Sequence, residues 1–307
     1  MGTTRAAWQT KVQVLCVLSF LYTVDGLCGP SNAPAYNIHH ARARILQDSP
    51  RIAVIDDLLS RSECASLITH ARASGAMEQS NAAEASFDAD RLRWLAVPLL
   101  ASPLPEVSRA LDAGADYGSA LATGGRAFAL AALAAATLAL AVQYVAVNAA
   151  ARARTSTAVA LNGDRRGDAA LAAPLVDRIA RVLGADALDF EAPVVSRYAP
   201  GERFGVHGDA SLDPERDWGD AGGQRLATCI VYLNDVARGG ETAFDQLDLA
   251  VTPAAGSACV FFPARADTHA VDDRTTHESR TAIDEKWVCQ LWRRARPVPP
   301  PLGLARY

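Results

Sequence analysis

From Ala192 onward the chain becomes a series of short apolar runs separated by Gly, Asp and Pro clusters, and this texture limits the fold more than any other feature. The runs are Ala192–Tyr198, Arg225–Asn234, Leu249–Thr252, Ala258–Phe262 and Trp287–Trp292. Each has strand length, and the breakers between them leave no room for long helices. Helical signatures come earlier. Over about 168–183, Leu171, Leu175, Ile179 and Val182 form one stripe, and Gly184 supplies the stop. Near the start, Arg51–Leu59 reads as a strand leading into a helix, with Ser60 and Glu63 spaced as a capping box, Cys64, Ile68 and Ala71 on one face and Gly75 near its end. Helices followed by many short strands predict an α+β fold: an antiparallel barrel or jelly roll (a double-stranded β-helix) with flanking N-terminal helices. Half of the residues are hydrophobic, enough for a substantial core.

The rest of the chain divides around that core. Arg5 and Lys11 precede the apolar stretch 12–24, and Val24-Asp25-Gly26 suits cleavage, so 1–26 reads as a signal peptide or signal anchor. Residues 27–49 read as a linker, 50–76 as the N-terminal strand and helix of the catalytic domain, 77–151 as an insertion, 152–296 as the core and 297–307 as a Pro-rich tail. Within the insertion, 77–125 shows no period, while 127–151 is an Ala-rich apolar helix without a charge. Membrane contact is open to 12–24 or 127–151, but a span inside the catalytic region would separate its halves. Net charge is −4 with no run of Lys or Arg, so phosphate-driven nucleic-acid binding is not expected. The six cysteines lack Cys-x-x-Cys spacing, which argues against structural zinc, and Cys229, Cys259 and Cys289 read as buried free thiols.

Three residues carry chemistry. His207 and Asp209 form a His-x-Asp pair, and on a strand both side chains would share one face. His277 can return on a neighbouring strand. Two imidazoles and one carboxylate on one side of Fe(II) leave positions open for a cosubstrate and oxygen. His39, His40 and His70 read as ordinary core or surface residues. His269, the main rival to His277, lacks the Asp-Asp-Arg-Thr-Thr lead found at 272–276.

With Arg-Tyr-Ala-Pro-Gly-Glu-Arg-Phe-Gly-Val-His-Gly-Asp at 197–209, Asp-Asp-Arg-Thr-Thr-His at 272–277 and Glu-Lys-Trp-Val at 285–288, the chain resembles the prolyl 4-hydroxylase family of 2-oxoglutarate- and Fe(II)-dependent dioxygenases. The likeness covers about 154–294, including Arg154-Thr155-Ser156, Arg225–Asp235 and Gly239–Phe244, with a weaker piece at 49–75. The resemblance makes His207, Asp209 and His277 the iron ligands and gives Lys286 the distal carboxylate of 2-oxoglutarate. Tyr198 and Thr242 would touch the same cosubstrate, and Phe204, Arg225 and Trp292 would lie on the substrate side. Lys286 and Trp292 also share parity along the last strand. The chain departs from the family between His277 and Lys286, where Ser279–Asp284 replaces the usual turn, and at Arg294, often a histidine.

The resemblance implies a procollagen-proline 4-dioxygenase-like enzyme. It would couple decarboxylation of 2-oxoglutarate to succinate with hydroxylation of peptidyl proline at C4, using Fe(II), O2 and ascorbate. The expected partner is a proline-rich polypeptide of the secretory pathway, and the expected location is the endoplasmic reticulum. Two other readings stand beside it: the same chemistry on lysine, another side chain or a small molecule, and a non-catalytic module that binds proline-rich chains. Because metal-binding imidazoles must be neutral, activity is expected to fall at acid pH.

Overall fold

The structure, a computed structural model, describes residues 37–80, 101 and 103–304, apart from the side chains of residue 140 and residues 142–152. The signal segment expected at 1–26 lies outside the described residues.

Two antiparallel sheets form the body. The larger has the order β1 (Ala43–Asp48), β2 (Arg51–Ile55), β10 (Ala258–Phe261), β7 (Arg225–Tyr232), β12 (Lys286–Arg294), β5 (Val194–Tyr198), β4 (Thr157–Ala160) and β3 (Glu78–Gln79). The smaller runs β6 (Phe204–His207), β11 (His277–Ser279), β8 (Thr242–Phe244) and β9 (Leu249–Val251). This is the jelly-roll core of an α+β fold. The apolar runs are nearly continuous because the larger sheet is covered on both faces. Along β12, Trp287, Cys289 and Leu291 pack with helices, whereas Val288 belongs to the core between the sheets. Ala227, Cys229 and Val231 of β7 likewise face the helices, and Ile230 and Tyr232 face inward. Cys64, Cys229, Cys259 and Cys289 are all buried and unpaired.

The helices behind the larger sheet follow their sequence signatures. Helix α1 (Arg61–Ala73) begins at Ser60, whose hydroxyl accepts from the Glu63 amide while the Glu63 carboxylate accepts from the Ser60 amide. It buries Cys64, Leu67 and Ala71, so its inward face is rotated slightly from the Cys64–Ile68–Ala71 line expected. A later helix spans Asp168–Leu183, buries Leu175, Ile179 and Val182, and stops at Gly184 in the left-handed region.

Three expectations need correction. The linker reading of 27–49 fails at its end, because Ala43–Asp48 pairs with β2 as an edge strand. Its half-exposed position tolerates Arg44, Gln47 and Asp48, which erases the apolar alternation. The region 77–125 is not irregular throughout: α2 (Leu104–Asp112) and the first turns of α3 (Tyr117–Ala153) lie within it. Pro103 and Leu104 open α2, and the Asp116 carboxylate caps α3 by accepting from the Ser119 amide. The insertion is also narrower than 77–151 at its start, since Glu78 and Gln79 pair with Ala158 and Thr157 at the sheet edge.

Helices α2 and α3 form a hairpin, closely packed where a Cβ on Gly124 would sit 2.4 Å from Val107 Cγ2. Either side of that contact, Leu121, Leu130, Leu133 and Leu138 of α3 are each more than 60% exposed. By length and composition Tyr117–Ala139 is apolar enough to cross a membrane, with a mean hydropathy of 1.4. The Pro-rich tail folds back on the body, where the Val298 amide donates to Leu188 and the Ala192 amide donates to the Leu302 carbonyl.

Candidate metal centre and cosubstrate pocket

Strands β6 and β11 lie side by side, and His207 stands opposite His277 in their register. Asp209 joins them from the bend just past β6 rather than from the strand itself, so the shared-face argument from alternation does not apply. The chain turns at Gly208 and brings the carboxylate back. One ligand atom from each of His207, Asp209 and His277 lies within 4.8 Å of the others. Among the described residues no other His, Cys, Asp and Glu group does this. His269 is exposed, outside the cluster and at positive φ.

Neighbours orient each ligand. The Nδ1 of His207 lies 2.8 Å from the Gly205 carbonyl, and that of His277 lies 3.2 Å from the Thr275 carbonyl. A carbonyl only accepts, so both protons sit on Nδ1 and both Nε2 lone pairs are left for a metal. Thr228 Oγ1 donates to Asp209 Oδ2 at 2.7 Å, leaving Oδ1 3.9 Å from His207 Nε2. The rings are packed as tightly as they are bonded. Phe204 stacks on His207 at 3.5 Å between centroids, and Phe261 meets His277 edge-on at 4.6 Å.

Electrostatics favour metal-ready protonation. Burial, then the neighbouring His277, pulls His207 down to about 3, and burial also lowers His277. Burial alone would raise Asp209. Charge on His277, His207 and Arg225, with the Thr228 hydrogen bond, holds it at about 2 instead. The expected acid loss of activity therefore moves. The ligands stay neutral and anionic well below pH 6.5, but the unfolded chain takes up protons there and the folded one does not. The stability contributed by the two imidazoles is thus fully present above pH 6.5 and falls as pH drops below it. The melting temperature of the metal-free protein is expected to decline from pH 7 to pH 5, while Mn(II) affinity of the folded protein changes less than about tenfold. A parallel collapse of affinity over that range would contradict this assignment.

The pocket beside the metal ligands is lined by Tyr198, Thr242, Ser279, Lys286 and Gln290, with Phe204, Ile230 and Val288 as apolar walls. Ser279 follows His277 by two residues on β11, so both face the pocket. The ammonium of Lys286 donates to Ser279 Oγ at 2.7 Å and to the Gly240 carbonyl at 2.6 Å. It lies 5.1 Å from the centre of the Tyr198 ring. Gly240 sits at φ +72°, and a Cβ there would be 3.1 Å from Lys286 Cδ, so glycine admits both the turn and the lysine. Burial pulls Lys286 down to about 7, with Glu241 opposing. Both acceptors of this buried cation are neutral, which suits it to an incoming carboxylate. Tyr232 Oη donates to Thr242 Oγ1 at 2.8 Å, fixing that hydroxyl in the pocket wall. The residues thus fit Fe(II) at one position and a diacid cosubstrate reaching Lys286 at the other.

The substrate-side candidates sit differently. Phe204 lines the pocket under His207, and the Arg154 guanidinium covers its ring at 4.6 Å. Arg225 makes a two-pronged pair with Glu191, at 2.7 and 3.0 Å, and its Nη1 lies 4.0 Å from Asp209 Oδ1. Trp292 is buried with its ring 4.3 Å from the Arg225 guanidinium and its indole N–H unbonded. Arg294 is buried and donates to Glu191 at 2.6 Å, so one carboxylate serves two arginines. Thr228, Ser279, Tyr232, Glu191 and the contact role of Arg154 escape sequence reading, because nothing local distinguishes a hydroxyl or carboxylate that meets the site through strand register.

Residues 193–294 match the family model described as the 2OG-Fe(II) oxygenase superfamily. Over 127 residues the chain is 29% identical to the "Putative prolyl 4-hydroxylase" of Acanthamoeba polyphaga mimivirus, covering 40% of this chain and 52% of that protein. Over 118 residues it is 30% identical to human prolyl 4-hydroxylase subunit alpha-1, covering 38% of this chain and 22% of that one. The chain thus spans about half or less of these relatives' length. Viral collagen prolyl hydroxylase vCPH from Paramecium Bursaria Chlorella virus-1, solved with 2OG, aligns over 78% of this chain and 94% of its own, with 19% identity and a TM-score of 0.43. The segment 193–294, which holds His207, Asp209, His277 and Lys286, thus matches the 2OG-Fe(II) oxygenase superfamily in sequence, and the relatives similar to this chain carry the name prolyl 4-hydroxylase.

Proposed function

We propose that the chain is a 2-oxoglutarate- and Fe(II)-dependent dioxygenase that hydroxylates peptidyl proline at C4 and releases succinate. The observation carrying this reading is that His207 and His277, two of three converging candidate metal ligands, line one pocket together with the buried Lys286. Bound Fe(II) with 2-oxoglutarate and O2 supplies the oxidising power. The protein's own residues hold and orient. Gly205 and Thr275 fix the imidazole tautomers, Thr228 aims the Asp209 carboxylate, and Lys286, Thr242 and Tyr198 receive the distal end of the diacid. Phe204, Ile230 and Val288 keep water from the reacting centre. Ascorbate is the expected reductant for stray oxidised iron. A proline-rich polypeptide of the secretory pathway is the proposed substrate, and the endoplasmic reticulum the proposed site of action.

Arg294 supports a second reading, the same chemistry on a different side chain. It shares the Glu191 carboxylate with Arg225, whose guanidinium lies over Trp292 and within 4.0 Å of Asp209, so it bears on the residues expected on the substrate side. The test is succinate release from 2-oxoglutarate by the full chain with Fe(II), ascorbate and a poly-proline peptide, beside a lysine-containing panel and a His207→Ala control. Proline-dependent turnover that vanishes in the control is the expected result. Turnover stimulated only by other peptides would select the second reading, and well-folded protein that binds no iron would make it a binding module.

A further inference from the structure

The larger sheet has a second concavity on its opposite face. A cleft of about 500 Å³ is lined by Arg72, Met77, Thr157, Arg197, Glu285 and Trp287. In the β5–β12 register, Trp287 stands opposite Arg197 and Lys286 opposite Tyr198. Side chains alternate across a sheet, so the first pair faces this cleft while the second faces the cosubstrate pocket. The two cavities are therefore back to back, separated by the thickness of one sheet.

The cleft is built around an uneven charge count. Arg72 Nη2 and Arg197 Nε each donate to the Glu285 carboxylate, at 2.9 and 2.7 Å. Both guanidiniums lie over the buried Trp287 ring, at 5.0 and 6.0 Å from its centroid. Two cations share one anion, and each spends one nitrogen on it, leaving further N–H donors on each fork. The indole beneath restricts how the guanidiniums can turn. Paired, stacked arginines whose other donors find no partner among the described residues match the oxygens of carboxylate and phosphate groups. We propose that this cleft is an anion site, separate from the catalytic pocket, for a small molecule bearing a carboxylate or phosphate. Its volume suits a metabolite-sized ligand.

The full chain would be titrated with inorganic phosphate, followed by 31P line width, and separately with benzoate, followed by saturation-transfer NMR. The two probes distinguish the sources of the oxyanion. Binding with a dissociation constant on the order of 1 mM is expected for at least one. Arg72→Gln with Arg197→Gln should weaken it at least tenfold, and Lys286→Met should leave it unchanged. Glu285→Gln frees both guanidiniums and should tighten binding severalfold, a gain that misfolding cannot mimic. Loss in Lys286→Met with retention in the double variant would place the anion in the catalytic pocket and overturn the proposal. So would binding of neither probe up to about 50 mM. None of these outcomes depends on whether the protein hydroxylates proline.

Discussion

Replacing His277 by alanine is expected to lower peptide-dependent succinate release by at least about a hundredfold, because changes even to groups that only support metal ligands cost 10–100-fold. The residue is 3% exposed and boxed in by His207, Phe244 and Phe261, so no other side chain can swing into its place. Truncating it also leaves a cavity, which costs on the order of 2–4 kcal/mol in a packed core. A thermal melt must therefore accompany the assay. The discriminating readout is Mn(II) affinity of the folded variant, which should fall with the turnover. His269→Asn is the matched control, since asparagine tolerates the positive φ at that exposed position, and it should remain within about twofold of the parent. Turnover above a tenth of the parent in the His277 variant would remove it from the metal centre.

Lys286→Met carries the second large effect. Losing one member of a buried charge pair costs about 2–5 kcal/mol, so the KM for 2-oxoglutarate should rise about thirtyfold to several thousandfold. Maximal turnover at saturating cosubstrate should change far less. Arginine is not expected to rescue, because its longer planar fork does not reproduce the buried lysine's bonds to Ser279 Oγ and the Gly240 carbonyl. Stability should move the other way. Burial lowers this lysine to about 7, so between roughly pH 7 and 10.5 the unfolded chain binds a proton that the folded one does not. The metal-free parent is then least stable below pH 7 and gains stability as pH rises toward 10.5. Methionine abolishes that slope and should melt higher than the parent at pH 7. An unchanged KM would sink the cosubstrate role, and an unchanged melting profile would sink the account of burial.

The larger sheet was legible because its central strands are buried on both faces and read as unbroken apolar runs, as Arg225–Tyr232 does. Of the smaller sheet only β9 was, in the run Leu249–Thr252. Strands β6, β8 and β11 are three or four residues long and include His207, Thr242, His277 and Ser279, polar residues that serve the site. The demands of the pocket erased the pattern that would have announced them as strands. His207, Asp209, His277 and Lys286 were legible through family motifs. The hydroxyls of Thr228 and Ser279 were not, since they reach their partners only through the pairing of strands distant in sequence. Helix α3 was visible over 127–151, but its first turns hide among Gly118, Gly124 and Gly125.

The α2–α3 hairpin leaves and re-enters the body at a single rung. Gln79 stands opposite Thr157 in an antiparallel pair, so everything from 80 to 156 is topologically a parenthesis in a β-hairpin. Holding so long a stretch closed costs on the order of 2–3 kcal/mol more than a tight turn would, if the stretch were flexible. Its final residues touch the body, where Arg154 covers Phe204 and the Ala153 carbonyl comes within 3.4 Å of a Cβ built on Gly205. Such an architecture can gain, lose or exchange its excursion without shifting any strand register, provided the splice falls before Ala153. What the sheet register fixes is where the excursion begins and ends, at Gln79 and Thr157.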